Sequence, residues 1–199
     1  MVSVKVCGLT NIEDVVVALD AGANALGFVF ASTSPRYMGD NEQLLDFLGQ
    51  LRIVQPFVAV FGICPGFYQP AFQLVQATEY LGETLSQRFL TVRPTPEFDL
   101  QTMKRSAEDI GAVGLVVDAF HPVKEGGTGE TVDFDFAKLI VDETPFPVIL
   151  AGGLNPDNVA EAIRYVQPYG VDASSGLEMA PGKKDPALVA RFVEAAKNA

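Results

Sequence analysis

The chain has 199 residues, 48% of them hydrophobic and 20% charged, which predicts one globular domain spanning residues 1–199. No apolar run approaches the ~20 residues of a membrane span, and the N-terminus lacks the apolar stretch of a signal peptide. The net charge of −11 disfavours nucleic acid as a partner. Two cysteines cannot form a disulfide framework, which suits the cytoplasm, and the single histidine, His121, excludes multi-histidine zinc sites. We therefore expect a cytoplasmic protein without a membrane or nucleic-acid partner.

Short apolar runs rich in β-branched and aromatic residues recur along the chain. Because these runs are apolar at nearly every position, they are typical of strands in a parallel sheet covered on both faces. The predicted strands are residues 4–7, 25–30, 57–61, 89–92, 113–117, 147–150 and 170–173. The interval between Ile63 and Phe89 must hold one more strand, for which residues 78–81 are the candidate.

Segments with apolar residues at helical spacing follow several of these runs. The predicted helices cover residues 12–19, start near Asp40, cover 71–76, and start at Asp133, at Asn155-Pro156 and at Asp185-Pro186. Asn, Asp and Pro at these starts are typical of helix N-termini.

Alternation of strands and helices predicts an α/β fold, and eight strands would close a (β/α)8 TIM barrel. The chain is at the small end for that fold. Too few residues separate Ile63 from Phe89 for two full strand–helix units, so a shortened or missing helix after strand 4 is expected. An open doubly wound sheet is the alternative.

In a parallel barrel, functional residues gather where the strands end. Gly152-Gly153 precedes a predicted helix, and Ser174-Ser175-Gly176 follows the last strand. Small residues let backbone N–H groups approach phosphate oxygens, so these two loops indicate phosphate binding. Tight strand-to-helix turns are the alternative interpretation.

Three further side chains occupy such positions, and each has a structural alternative. Cys7 ends the first strand and shares a face with Lys5, whose ammonium group would favour the thiolate; a buried core cysteine is the alternative. Asp118 follows a buried strand, where a carboxylate is either functional or a loop cap. Arg36 offers a fork to a carboxylate or is a surface arginine. Metal-ligand spacing is not found in the sequence.

Several segments together resemble the phosphoribosylanthranilate isomerases of tryptophan biosynthesis. The matching stretches are residues 4–10, 25–30 with 34–37, 126–131, 150–156 and 168–176. The resemblance implies a (β/α)8 barrel and an Amadori rearrangement of N-(5-phosphoribosyl)anthranilate to 1-(2-carboxyphenylamino)-1-deoxyribulose 5-phosphate. It also implies a phosphorylated sugar as substrate, without a metal or organic cofactor.

The resemblance further implies a role for each matching residue. Cys7 is the general base and Asp118 the general acid, while Arg36 holds the anthranilate carboxylate. Residues that contact the substrate are then Asp172, Gly127 and Thr128. The phosphate cradle comprises Gly152, Gly153, Ser174, Ser175 and Gly176.

One segment departs from the family pattern. Family members carry Gln-Leu-His-Gly at the end of the fourth strand, and the sequence places Glu79-Tyr80-Leu81-Gly82-Glu83 there, without a histidine. Two alternatives to the isomerase therefore stay open. One is a related sugar-phosphate isomerase or epimerase acting on another aglycone; the other is a phosphosugar-binding protein without activity.

Overall fold

The structure is a computed structural model that describes residues 1–39, 41–55, 58–63, 74–77, 87–119 and 131–199. Eight parallel strands pair in chain order and close into a barrel, with β1 hydrogen-bonded to both β2 and β8. The barrel strands are β1 Ser3–Val6, β2 Ala25–Val29, β3 Ala59–Ile63, β4 Leu74–Ala77, β5 Gln87–Val92, β6 Ala112–Val117, β7 Val148–Leu150 and β8 Gly170–Ala173. The closed barrel confirms the predicted fold class and excludes the open doubly wound sheet.

Six α-helices lie in the described part of the chain. They are α1 Ile12–Asp20, α2 Glu42–Val54, α3 Leu100–Asp109, α4 Phe134–Glu143, α5 Val159–Val166 and α6 Pro186–Lys197. A single 3-10 turn, Ser175–Leu177, follows β8 and leads into a hairpin of β9 Glu178–Ala180 and β10 Lys183–Lys184. None of the described helices has the length and apolar character needed to cross a membrane.

Helices α4 and α6 start at the N-cap aspartates that the sequence predicts. Asp133 accepts hydrogen bonds from Asp135 and Phe136 at the start of α4, and Asp185 caps α6 with Pro186 in its first turn. Both predicted starts are confirmed. The start at Asn155-Pro156 is wrong, because α5 begins at Val159.

The predicted α5 start fails because two asparagine side chains hold the preceding segment as a turn. Asn155 Oδ1 accepts the N–H of Asp157, and Asn158 Oδ1 accepts the N–H of Asn155. Asn158, which takes the capping position, makes no side-chain cap hydrogen bond to α5. These local bonds satisfy the backbone in a non-helical form.

Successive side chains of the strands point alternately out toward the helices and into the barrel, so the apolar residues form two separate clusters. Val4 and Val6 of β1 belong to the large layer between barrel and helices, whereas Lys5 between them points into the barrel. Inside the barrel a smaller apolar cluster contains Ala25, Phe61, Phe89, Val116, Ile149 and Ala151. Because the barrel interior also holds polar side chains, its apolar packing is restricted to this small set.

The fourth unit differs from its prediction. Residues 74–77 form β4, which pairs with β3 and β5, so the predicted helix over 71–76 is wrong where the structure describes it. The fourth strand is Leu74–Ala77, whereas the predicted range, residues 78–81, lies outside the described residues. Gln76 explains the error: a polar residue breaks the apolar run, yet it is buried in the barrel and bonds to Lys5 and Thr91. The expected shortened helix after strand 4 lies outside the described residues.

Leu48→Ala tests the layer between barrel and helices. Leu48 of α2 is fully buried in that layer, so the truncation should lower the free energy of unfolding by about 2–5 kcal/mol. Urea-induced unfolding measures the change. Leu139→Ala on α4 is the matched control, because Leu139 is 45% exposed and its loss should cost less than about 0.5 kcal/mol. Equal losses in the two variants would contradict the packing described here.

Candidate active site

Cys7 lies at the carboxyl end of β1 with its thiol against β2. Its backbone N–H donates to the carbonyl of Ala173 at 2.9 Å, and its side chain is buried. A Cβ atom placed on Gly27 would come within 2.7 Å of Cys7 Sγ. Glycine at position 27 therefore leaves the space that the thiol occupies.

Lys5 is buried inside the barrel beneath Cys7. Its Nζ donates to Asp172 Oδ2 at 2.7 Å and to Gln76 Oε1 at 3.3 Å, and it lies 5.1 Å from the ring centre of Phe61. Burial disfavours the ammonium, but the carboxylate of Asp172 and the nearby Cys7 outweigh it and raise the pKa of Lys5. Lys5 is therefore positively charged at neutral pH.

The pKa of Cys7 corrects a prediction from the sequence. Lys5 shares the inward face with Cys7 as expected, and its charge lowers the pKa of the thiol, as does that of Lys184. Burial is the larger effect and Asp172 adds to it, so the pKa of Cys7 is raised overall. Cys7 is therefore mainly a thiol at neutral pH, and the neighbouring cations limit the cost of forming the thiolate.

Asp118 directly follows β6 at the same end of the barrel. Its Oδ1 accepts the N–H of Ala119 at 2.9 Å, and its Oδ2 lies 3.6 Å from the guanidinium of Arg93. Burial raises the pKa of Asp118, and Asp172 adds to this against the opposing charge of Arg93. A carboxyl group with a raised pKa retains its proton more readily, which suits a proton donor.

Arg36, in the loop after β2, forms a bidentate ion pair with Glu178. Arg36 Nε donates to Oε1 at 2.8 Å and Nη2 donates to Oε2 at 2.7 Å. Lys184 Nζ also donates to Glu178 Oε1, at 2.8 Å. Burial disfavours the carboxylate, but these donors outweigh it and lower the pKa of Glu178. The predicted carboxylate-binding arginine thus has a buried, ionised partner within the chain.

The loop after β7 contains Gly152 and Gly153, both at positive φ. A Cβ atom on Gly152 would lie 2.4 Å from the backbone nitrogen of Ala119, so only glycine fits there. The carbonyl of Gly152 accepts the N–H of Val132, and that of Gly153 accepts from Asn158 Nδ2. Because both carbonyls accept hydrogen bonds, the conformation of the loop is fixed, as anion binding through backbone N–H groups requires.

The loop after β8 lies between the loop after β7 and the loop after β1. A Cβ atom on Gly176 would lie 2.3 Å from the carbonyl oxygen of Leu154. A Cβ atom on Gly8 would lie 2.6 Å from Ser174 Oγ. Ser174 Oγ is buried and has no hydrogen-bond partner among the described residues. It is therefore a polar group available to a ligand, next to Ser175.

These contacts bring most of the predicted site residues to one end of the barrel. The loops after β6, β7, β8, β1 and β2 adjoin one another there, through Gly152 beside Ala119, Gly176 beside Leu154, and Gly8 beside both Ser174 and Arg36. Gly127 and Thr128 lie outside the described residues, as do Cys64 and His121.

The position of β4 differs from the one assumed in the comparison with the family's Gln-Leu-His-Gly segment. β4 ends at Ala77, so Gln76 and Ala77 lie at its carboxyl end, and the segment from Glu79 to Glu83 used in that comparison lies outside the described residues. Gln76 bonds to Lys5.

Sequence reasoning missed three buried polar residues of this region: Gln76, Glu178 and Lys184. Gln76 had a usable signal, since a polar residue interrupts an otherwise apolar run. Glu178 and Lys184 lie in the short β9–β10 hairpin, where no periodicity separates a buried charge from an exposed one. Their burial depends on partners in distant segments.

The fold and the site together define a (β/α)8-barrel enzyme with the groups for acid–base chemistry and for anion binding at the carboxyl ends of its strands. The chain belongs to the N-(5'-phosphoribosyl)anthranilate isomerase family, because the model of that family matches residues 82–195.

Individual relatives agree with this assignment over the whole chain. The N-(5'-phosphoribosyl)anthranilate isomerase of Geotalea uraniireducens is 40% identical over 211 aligned positions, covering 99% of each chain. The crystal structure of the Thermotoga maritima phosphoribosyl anthranilate isomerase matches with a TM-score of 0.80 and 31% identity, covering 100% of both chains. Another phosphoribosyl anthranilate isomerase structure, with a TM-score of 0.75 and 30% identity over 100% of both chains, is a complex with reduced 1-(o-carboxyphenylamino)-1-deoxyribulose 5-phosphate.

Lys5→Gln tests the electrostatics of the thiol. Because the Lys5 ammonium lowers the pKa of Cys7, its removal should move the pH midpoint of Cys7 alkylation by iodoacetamide to higher pH. The measurement is made in a Cys64→Ser background, so that only one thiol reacts. Lys138→Gln, on the exposed face of α4, is the control and should leave the midpoint unchanged. An unchanged or lower midpoint in Lys5→Gln would contradict the proposed influence of Lys5.

Proposed function

We propose that the chain catalyses the Amadori rearrangement of N-(5-phosphoribosyl)anthranilate to 1-(2-carboxyphenylamino)-1-deoxyribulose 5-phosphate, a step of tryptophan biosynthesis. The observation that supports the proposal is that a group suited to donate a proton and a group suited to accept one lie at the same end of the barrel. Asp118 has a raised pKa and suits a proton donor, and Cys7 is a thiol flanked by two cations. The whole chain, residues 1–199, acts as one domain.

Asp118 acts first, as the general acid. It donates its proton to the ring oxygen of the ribose, and the bond from that oxygen to C1 breaks to leave a Schiff base. Its raised pKa keeps a larger share of the carboxyl protonated than an ordinary aspartate would at the same pH.

Cys7 acts second, as the general base. The thiolate takes the proton from C2 of the Schiff base and gives an enolamine. The enolamine then becomes the ketone as C1 gains a proton and the C2 hydroxyl loses one, so the reaction is an isomerisation without net proton change. The cations Lys5 and Lys184 stabilise the thiolate during this step.

Binding of the substrate uses the loops around this pair. Arg36 holds the anthranilate carboxylate, and the Gly152-Gly153 and Ser174-Ser175-Gly176 loops hold the phosphate. Asp172 Oδ2 accepts a hydrogen bond from Lys5. Its buried Oδ1 has no partner among the described residues and is available to a sugar hydroxyl. Gly127 and Thr128 complete the substrate contacts. These local groups offset the net charge of −11, which does not attract an anion.

Cys7→Ala and Asp118→Asn test the assigned roles. Each variant should lower kcat by about 10²–10⁴-fold, because one proton transfer loses its catalyst. The assay follows the loss of fluorescence of freshly generated phosphoribosylanthranilate, corrected for its spontaneous decay. Binding of the reduced product analogue should survive in Cys7→Ala, since the binding groups are untouched.

Asp142→Asn is the control for these variants, because Asp142 is an exposed carboxylate on α4 that pairs only with Lys138 in the described structure. Its activity should equal that of the unmodified protein. Turnover that persists in Cys7→Ala would overturn the mechanism. Absence of turnover in the unmodified protein, with saturable binding of the analogue, would instead favour a phosphosugar-binding protein without activity.

The pH dependence of kcat/KM follows from the same two groups. Activity requires protonated Asp118 together with ionised Cys7, although the carboxyl has the lower pKa. The active fraction therefore rises with pH up to the pKa of Asp118, stays level, and falls above the pKa of Cys7. Both pKa values are raised, so both limbs should lie above the ordinary values of 3.8 and 9.0.

Arg93→Gln isolates the acid limb of this profile. The charge of Arg93 lowers the pKa of Asp118, so its removal should shift the rising limb to higher pH and leave the falling limb in place. Arg191→Gln, which removes an exposed arginine of α6, should leave both limbs unchanged. A rising limb that stays in place in Arg93→Gln would show that Asp118 is not the group titrating on the acid side.

A further inference from the structure

The guanidinium of Arg36 is held from one side. Glu178 accepts from Nε and from one hydrogen of Nη2, along one edge of the fork. An arginine has five N–H donors, so this contact leaves both hydrogens of Nη1 and one of Nη2 for other partners. Two of these three, one on Nη1 and one on Nη2, lie on the terminal edge, which matches a carboxylate in a bidentate arrangement, and the third points from Nη1 toward the Cδ side.

Glu178 is itself fixed by the β9–β10 hairpin. Its side chain is 4% exposed, and Lys184 Nζ donates to Oε1 at 2.8 Å. Lys184 is anchored in turn, because its Nζ donates to the carbonyl of Ser174 and its backbone N–H donates to Asp14 Oδ2. The carboxylate therefore has little freedom to turn away from Arg36.

The stem of Arg36 is placed beside the catalytic strand. A Cβ atom on Gly8 would lie 2.5 Å from Arg36 Cδ, and Gly8 is the residue after Cys7. The close approach and the φ of +73° both require glycine at this position. The side chain of Arg36 is therefore positioned by two contacts. Its aliphatic part packs against Gly8, and the Nε–Nη2 edge of its guanidinium group binds Glu178.

Charge at this cluster also fits an incoming carboxylate. Arg36 and Lys184 carry two positive charges and Glu178 carries one negative charge, so the group of three has an excess of one positive charge. A carboxylate on the terminal edge of Arg36 would balance it. An aglycone without a carboxylate would bury that edge unpaired, which is costly.

We propose that Glu178, held by Lys184, is the positioning residue that makes the site selective for an aglycone bearing a carboxylate, through the orientation it imposes on Arg36. The inference rests on the proposed function. Because the carboxylate lies away from the reacting carbons, the contribution is to binding in ground state and transition state alike. It therefore affects KM rather than kcat.

Binding of two ligands tests the inference. One is reduced 1-(o-carboxyphenylamino)-1-deoxyribulose 5-phosphate, and the other is the same compound without its carboxyl group. In Glu178→Gln the affinity for the carboxylated ligand should fall about tenfold, because the fork is no longer fixed, whereas that for the other should change less than about twofold. Calorimetry measures both. With phosphoribosylanthranilate as substrate, KM should rise by a similar factor and kcat should stay within about twofold.

Arg36→Lys shows whether Glu178 acts through Arg36. Lysine keeps the positive charge but lacks the planar guanidinium group that Glu178 orients. Adding Glu178→Gln to this variant should therefore cause no further loss of affinity for the carboxylated ligand. Glu143→Gln, at an exposed carboxylate of α4, should leave both affinities unchanged. If Glu178→Gln does not fold, Glu178→Asp keeps the charge, shortens the reach and should show the same selective loss.

Three results would overturn the inference. They are equal loss for both ligands, an unchanged affinity for the carboxylated ligand, and a loss that persists in the Arg36→Lys background. Failure of the proposed function is separate, because it would appear as absence of turnover in the unmodified protein. The two binding measurements do not depend on turnover.

Discussion

The ion pair of Lys5 and Asp172 inside the barrel is the constraint on which the site depends. The two residues are register partners on β1 and β8, where the barrel closes, and Nζ lies 2.7 Å from Oδ2. Two buried charges are tolerated because they are paired and because Gln76 accepts a further hydrogen bond from Lys5. The pair also sets the local potential: Lys5 lowers, and Asp172 raises, the pKa values of both Cys7 and Asp118.

A second ion cluster lies at the same end of the barrel as Cys7. Arg36, Glu178 and Lys184 are joined by the side-chain contacts that fix the arginine fork. Lys184 also lowers the pKa of Cys7, so the two clusters meet at the thiol. An acidic protein can in this way present cationic groups to an anionic substrate at short range, where they act with little screening.

Local sequence signals predicted those features whose physical cause is local. Apolar runs of strand length identified most of the barrel, and Asp133 and Asp185 marked helix starts that the structure confirms. Placement of Cys7 and Asp118 at strand ends was enough to bring both to one end of a parallel barrel. α3, residues Leu100–Asp109, was missed because its short run of mostly polar residues has only two buried positions, Met103 and Ala107.

The sequence by itself determined the alternation of strands and helices, the parallel direction of the strands and the residue types at the strand ends, because hydrophobic periodicity and chain order suffice for these. Closure of the barrel and the place of the fourth strand were settled by the tertiary structure. Tertiary structure alone decided which polar groups are buried together. Lys5 meets Gln76 and Asp172 across 71 and 167 residues of chain, and Arg36 meets Glu178 across 142. Burial and charge pairing at such separations set the protonation of Cys7 and the position of the fork, and no local pattern contains them.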